Sequence, residues 1–392
     1  MALSQRSLSS LNPTASAPRL GTDRSRRDPS APLRHLDVVL LVCTLALAAL
    51  GALMVYSATR GPDATPDRSF LIKQTMFIFV GLGVLAVATI LDYRRIRDFA
   101  WVLYGGSVLL LLAVLSPFGS QVNGAQAWFA LGPFQLQPAE FTKIALIVTL
   151  GALLAEWAGD IDLKRLAILG VLCGVPMGLI LLQPDLGTVA VLVSIVLGML
   201  LIGGLRFRYI VILTLIGIVG VVGAFNSSVL DQYQKDRLTS FLDQNADTQK
   251  TTYNVNQSQT AISNGGVTGE GLFQGRQTEL GYVPEQQTDF IFTAVGEELG
   301  FVGGAVVIGL YGVIIWRVWR TAKLSRDLLG TLYCVGVLSM LVFQVFENVG
   351  MAMGIMPVTG IPLPLLSYGG SSTLVTFASI GLVLNVHMRR FR

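Results

Sequence analysis

An all-α, polytopic integral membrane protein with about ten transmembrane helices and both termini cytoplasmic is the fold class this sequence predicts. Three observations carry the expectation. Of 392 residues, 52% are hydrophobic and only 13% charged, with a mean hydropathy of +0.63, whereas soluble domains carry about 25% charged residues. Windows long enough to cross roughly 30 Å of hydrocarbon as helix fall at 36–58, 72–91, 99–117, 138–157, 166–183, 186–203, 208–225, 290–316, 327–350 and 368–387. The breaks at 92–98, 158–165, 204–209 and 317–326, together with the two termini, hold 20 of the 28 Lys and Arg residues. The positive-inside rule puts all of these in the cytoplasm, and one span more or fewer would scatter them across both sides. The apolar runs lack sustained period-two alternation, which argues against a β-barrel. The net charge of +4 sits in short clusters between spans, so no nucleic-acid partner is expected.

Residues 1–35, with Arg24, Arg26 and Arg27 among Ser, Pro and Ala, read as a disordered cytoplasmic tail. The apolar run from Leu36 continues for about 22 residues, too long for a cleaved signal peptide. Residues 36–387 form the transmembrane domain, and 388–392 a second cytoplasmic tail. Cys43, Cys173 and Cys334 lie in apolar segments without metal-ligand spacing and read as buried thiols. By this topology 59–71, 118–137, the turn near 184–185, a long loop at 226–289 and 351–367 face outward, and chemistry is sought there. Between the fifth and sixth spans, Pro184 removes a backbone donor and Gly187 loosens the chain, giving either a tight exterior turn or a broken helix entering a cavity. In the long loop, 231–242 mixes charge with spaced apolar residues as an interfacial helix does. A short helix follows near Asn254, then a flexible turn at Gly265-Gly266. Gly269, Gly271 and Gly275 surround Leu272-Phe273, letting the backbone approach a ligand or a membrane surface. Neither phosphate-loop nor dinucleotide glycine pattern occurs, so no nucleotide cofactor is expected.

Asp289 stands where the long polar loop runs back into apolar sequence, at Pro284-Glu-Gln-Gln-Thr-Asp-Phe-Ile-Phe292. An ionisable group at that border either lines a functional cavity or, with Thr288, caps the following helix; both readings stand. Pro138 suits a first helical turn, and Glu140 and Lys143 then share one face as an ion pair, for helix packing or for lining a cavity. Trp128 is either an interfacial anchor or a substrate platform. Asp185, like Glu140, is an acid at the outward end of a span. Glu297 and Glu298, in the eighth span, point about 100° apart, so only one addresses a given cavity. Gly350 and Gly354 allow close packing with a partner helix or within the chain.

Four stretches resemble the SEDS family of shape, elongation, division and sporulation proteins. They are Gly124-Ala-Gln-Ala-Trp128 with Gln137-Pro-Ala-Glu-Phe-Thr-Lys143; Gln183-Pro-Asp-Leu-Gly-Thr188; Pro284 to Phe292 with Gly296-Glu-Glu-Leu-Gly300; and Pro357-Val-Thr-Gly-Ile-Pro-Leu-Pro-Leu-Leu-Ser-Tyr-Gly-Gly-Ser-Ser372. Gly271-Leu-Phe-Gln-Gly275 and Pro357 to Pro362 are more similar to the rod-shape (RodA) branch than to the division (FtsW) branch. Gln287 stands where the family often has His. The resemblance implies a peptidoglycan glycosyltransferase polymerising undecaprenyl-linked lipid II at the outer face of the bacterial cytoplasmic membrane during cell elongation. It also implies a class B penicillin-binding protein as crosslinking partner within the elongation machinery. Asp289 would be the catalytic carboxylate, with Trp128, Glu140, Lys143 and Asp185 shaping the cavity. The leaving diphosphate needs charge from Lys143, from Arg237 or from a divalent cation such as Mg or Mn. Glu297 is a further supporting candidate. A lipid II flippase and a structural partner of the transpeptidase are the alternatives, since broken helices and carboxylates suit a transporter too.

Overall fold

The computed structural model describes residues 35–60, 68–122, 125–132, 134–157, 161–206, 208–209, 211–215, 217 and 249–391. The seventh window (208–225) falls largely outside these residues. The helix expected over 231–242, Arg237, and the tail over 1–35 apart from His35 also lie outside them. The other nine windows are helices: α1 (Val38–Ala58), α2 (Arg68–Ile90), α4 (Ala100–Leu115), α5 (Pro138–Trp157), α6 (Leu163–Leu181), α7 (Leu186–Ile202), α10 (Ile291–Leu324), α11 (Leu328–Ala352) and α12 (Gly370–Arg389). Between them lie the short helices α3 (Tyr93–Asp98), α8 (Gln249–Asn264) and α9 (Arg276–Glu279). Seven of the nine long helices meet the length and hydropathy of a membrane span; α4 and α7 are apolar but shorter.

Sequence signals account for the boundaries. Asp37, Asp92, Asp162, Asp185 and Asp327 each accept a backbone N–H in the first turn of the helix that follows, satisfying donors a helix start leaves orphaned. Pro138 opens α5, where its missing N–H costs nothing. The turn at 182–185 is tight: α6 ends at Leu181 and α7 begins at Leu186. Cys173 and Cys334 are buried, but Cys43 is only half-buried.

Three features depart from the sequence reading. The outward segment 118–137 contains a three-stranded antiparallel sheet, β1 (Ser120–Val122), β2 (Ala125–Leu131) and β3 (Phe134–Leu136), in the order β1-β2-β3. Its strands are three to seven residues long, too short for alternation to stand out in an apolar chain. The eighth span is not continuous: at Gly300 the backbone turns out of the helix, with φ 65° and ψ −162°. The long loop repairs the break, since Glu270 and Gly271 N–H donate to the carbonyls of Glu297 and Glu298 (2.9 and 3.1 Å), and Phe301 and Val302 N–H donate to Gly266 and Val267 (2.9 and 3.1 Å). Irregular backbone at membrane depth persists only when protein satisfies it in this way. Gly269 therefore approaches the chain itself rather than a ligand or a membrane; a Cβ there would lie 2.1 Å from the Glu298 carbonyl oxygen. Gly350 and Gly354 likewise pack internally, against Met356 and against Val255 and Gln259 of α8.

Gly300→Ala is expected to lower stability by about 1–3 kcal/mol, because this backbone region is essentially reserved for glycine and the added Cβ would lie 2.3 Å from the Gly269 nitrogen. Thermal unfolding in detergent reads this out, and a wild-type melting temperature would show that the break is not held as described.

The core lies along α5, α11 and α12, whose spans are the most buried. At one end of the bundle α12 finishes α2: Asn385 Nδ2 donates to Ala88 O (2.6 Å) and to Leu91 O, and the Arg389 guanidinium to Thr89 O (3.3 Å) and Ile90 O (2.6 Å). Carbonyls that a helix C-terminus leaves open are thereby paired. α12 accordingly runs on to Arg389, into what the sequence reading assigned to the tail.

Candidate active site

The opposite end gathers the N-termini of α5, α7, α10 and α12 and the C-termini of α6 and α11. Gln137, just before α5, donates its backbone N–H to Ser371 Oγ in the first turn of α12 (2.9 Å) and its Nε2 to Asp185 Oδ2 (3.0 Å). Asp185 caps α7, taking the Thr188 N–H on Oδ1 and the Thr188 hydroxyl on Oδ2, both at 2.8 Å. Gly187 lies so close to the connector between α11 and α12 that a Cβ there would sit 2.7 Å from Thr359 O. Thr359 in turn donates to Glu347 Oε1 at the end of α11 (3.0 Å).

Beside Glu347, fully buried Asn348 uses both protons of Nδ2, one on Asp289 O (2.7 Å) and one on Ile361 O (2.8 Å). Tyr368 N–H donates to Gln287 O (2.8 Å). The peptide carrying Asp289 is thus tied to the 361–368 segment at two points. The N-cap of α10 is Phe290, so the cap expected at Thr288 or Asp289 falls one residue later. The Thr288 hydroxyl instead donates back to Glu285 O (3.1 Å). Asp289 is half-buried.

Glu140 and Lys143 form the expected pair in the first turns of α5, at 2.7 Å and only 3% and 1% exposed. The Lys143 charge is spent on Glu140, while Glu140 Oε2 keeps no partner. Glu297 is occupied too: its carboxylate takes the N–H groups of Gln277 (2.6 Å) and Thr278 (3.0 Å) and the Thr278 hydroxyl (2.7 Å), stabilising the N-terminus of α9. Buried Gln286 bridges Thr278 to Thr293 at 3.0 and 2.9 Å. Glu297 therefore braces the turn that presents Asp289. Trp128 is carried on β2, opposite Ser120, in the sheet that leads through β3 into α5.

Sequence reasoning left Gln137, Asn348, Thr359, Ser371 and Glu298 without roles. A lone Asn in the apolar run ending at Gly350 was a usable signal, since a buried amide demands partners. Glu298 faces a small cleft with Ser57, Arg60, Phe273 and Glu279, its Oε1 bonded to the Ser57 hydroxyl.

Helix N-termini carry partial positive charge. α5, α7, α10 and α12 point theirs at one polar region beside a half-buried carboxylate, an arrangement suited to a negatively charged substrate and a proton acceptor. Among the described residues no three or more His, Cys, Asp or Glu side chains converge as a metal site requires.

Fold and site together define a polytopic membrane protein with a polar cluster at one end, where Gln137, Asp185, Glu347, Asn348 and the Asp289 turn meet. The chain belongs to the SEDS family: the family profile of FtsW, RodA and SpoVE, described as "Cell cycle protein", matches residues 37–391. It is 39% identical over 357 residues to stage V sporulation protein E of Bacillus subtilis (strain 168), covering 89% of this chain and 96% of that protein. To peptidoglycan glycosyltransferase RodA of Treponema pallidum (strain Nichols) it is 34% identical over 424 residues, covering 90% and 98%. Among solved structures it is similar to a chain from a peptidoglycan synthase complex that coordinates polymerisation and crosslinking, with TM-score 0.76, 35% identity and coverage of 91% and 99%. It is also similar to the rod shape determining protein RodA of Thermus thermophilus, with TM-score 0.68, 34% identity and coverage of 91% and 98%.

Proposed function

We propose that this protein is a peptidoglycan glycosyltransferase that polymerises undecaprenyl-linked lipid II during cell elongation, with Asp289 as general base. The relatives named as such enzymes support the activity. The observation that carries the site is Asp289 held on a doubly tethered turn among four helix N-termini. The 4-hydroxyl oxygen of the incoming lipid II GlcNAc bonds to the anomeric carbon of the growing strand, and the bond from that carbon to the lipid diphosphate breaks. Asp289 takes the hydroxyl proton, and the diphosphate leaves as an anion in the field of the helix N-termini. With Lys143 neutralised by Glu140, those termini carry more of that work than the sequence assigned them. Mg or Mn fits this reading only as a companion of the diphosphate, since Mg is commonly held by one or two carboxylates plus substrate phosphates; no step is routed through it. Lipid II polymerisation by the purified chain, with and without a class B penicillin-binding protein, tests the reading. Absence of glycan product in both arms would overturn it.

The crosslinking partner is proposed because the similar solved complex couples polymerisation to crosslinking. The basic clusters support, by the positive-inside rule, an extracytoplasmic position for the Asp289 end. Single cysteines at Gln249 and Lys323 in a functional cysteine-free chain are expected to label from opposite sides, Gln249 from outside; labelling of both from one side would refute the topology.

Asn348→Leu keeps the branched side-chain skeleton but strands the Asp289 and Ile361 carbonyls. Displacement of a catalytic group by about 1 Å costs on the order of 10²-fold in rate, so turnover is expected to fall by about that factor while lipid II binding changes little. Unchanged turnover would show that the tether is dispensable.

A further inference from the structure

The end of the bundle opposite Asp289 holds a cation cluster that the polymerase reaction does not use. Arg320 lies about 30 Å along α10 beyond the break at Gly300, at 1.5 Å per residue, about the thickness of the hydrocarbon core of a bilayer. Most other arginines described at this end have a carboxylate partner or none of the cluster's neighbours. Arg94 pairs with Asp327 (3.2 Å), Arg317 with Asp37 (2.7 Å) and Arg389 with Asp92 (3.5 Å).

Arg320 and Arg390 have no carboxylate within ion-pair distance among the described residues, yet they belong to one corner. Arg317 and Arg320 flank the Trp316 ring at 5.6 and 5.9 Å. Next to Arg320, Thr321 Oγ1 contacts His387 Nδ1 of α12 at 3.1 Å, and the other ring nitrogen of His387 contacts Arg390. Burial, with Arg320 and Arg317 nearby, lowers the Arg390 pKa from its ordinary value, against the pull of Asp37. This crowding of positive charge favours an anion between the arginines.

The same corner is apolar at its edge. Trp316 and Trp319 are 51% and 45% exposed and Phe391 67%, Lys323 Nζ sits 3.8 Å over the Trp319 ring, and Phe391 packs against His35. Exposed aromatics mark the headgroup level of a membrane. An anion here has its charge against the arginines and hydrocarbon beside the tryptophans.

We propose that this corner binds the headgroup of an anionic phospholipid, its phosphate held between Arg320 of α10 and Arg390 of α12 and its acyl chains along the exposed face of α10. The site ties α10 and the end of α12 to the leaflet opposite the Asp289 end.

Native mass spectrometry of the full-length purified chain tests this with phosphatidylglycerol, phosphatidylcholine or inorganic phosphate offered at equal concentration. Wild-type protein is expected to retain phosphatidylglycerol over phosphatidylcholine, and Arg320→Gln/Arg390→Gln to lose that preference by about tenfold or more, since each basic residue near an anionic leaflet contributes on the order of a kcal/mol. Arg95→Gln, an exposed basic residue of α3, is expected to bind like wild type. If the double variant does not fold, each single variant is expected to show a partial loss. Equal retention of the two lipids, undiminished preference in the Arg320 and Arg390 variants, an equal loss in Arg95→Gln, or phosphate bound as tightly as phosphatidylglycerol would each overturn the proposal.

Discussion

Asp289→Asn is expected to reduce lipid II polymerisation by about 10²–10⁴-fold, the usual contribution of a positioned general base, with folding, membrane insertion and partner binding retained. The substitution nearly preserves size and keeps a hydrogen-bonding side chain. It leaves the Asn348 tether intact, because that bond is made to the backbone carbonyl of residue 289. Helix capping does not predict such a loss: Asn and Asp cap about equally well, and the N-cap of α10 is Phe290. The comparison needs equal amounts of folded wild-type and variant protein and a separate measurement of lipid II binding. Near-wild-type turnover would remove Asp289 from the chemistry, whereas lost turnover with lost binding would make it a substrate-positioning group.

Lys143→Met is expected to destabilise the fold by about 3–5 kcal/mol, because it leaves Glu140 as an uncompensated buried charge. The two side chains are among the least exposed charged groups described, at 1% and 3%. The double variant Glu140→Gln/Lys143→Met is expected to recover most of the loss, since replacing both partners of a buried pair costs far less than breaking it. Unfolding in detergent, compared across the three proteins, measures this. A single variant as stable as wild type would show that the pair is hydrated and not sealed in the bundle.

The described spans were legible because a bilayer imposes length and hydropathy on every crossing helix. The break at Gly300 was not, because it depends on carbonyls and N–H groups supplied by residues 266–271, and no local pattern announces that pairing. Glu140 with Lys143 was readable from helical spacing alone. Asp185 was noticed as an acid at a helix end, but its bond to Gln137 joins two helices across sequence and needed the fold. Glu297 and Glu298 were separable by angle; which one braces α9 and which one borders the small cleft depended on where α9 packs. Asn348 had no role in the sequence reading, because its partners are the backbone carbonyls of Asp289 and Ile361, which carry no mark in a sequence.

The contact from Gln137 to Ser371 joins residues 234 positions apart, and α12 completes α2 from almost 300 positions downstream. During synthesis the amino-terminal helices therefore enter the bilayer long before the last one arrives to close the polar end against them. A chain stalled or truncated before residue 370 holds Asp289 and most of its neighbours but lacks the element that seats Gln137, and through it Asp185. The contacts that join Gln137 and Asp185 to the rest of the polar end therefore wait on the arrival of the final helix.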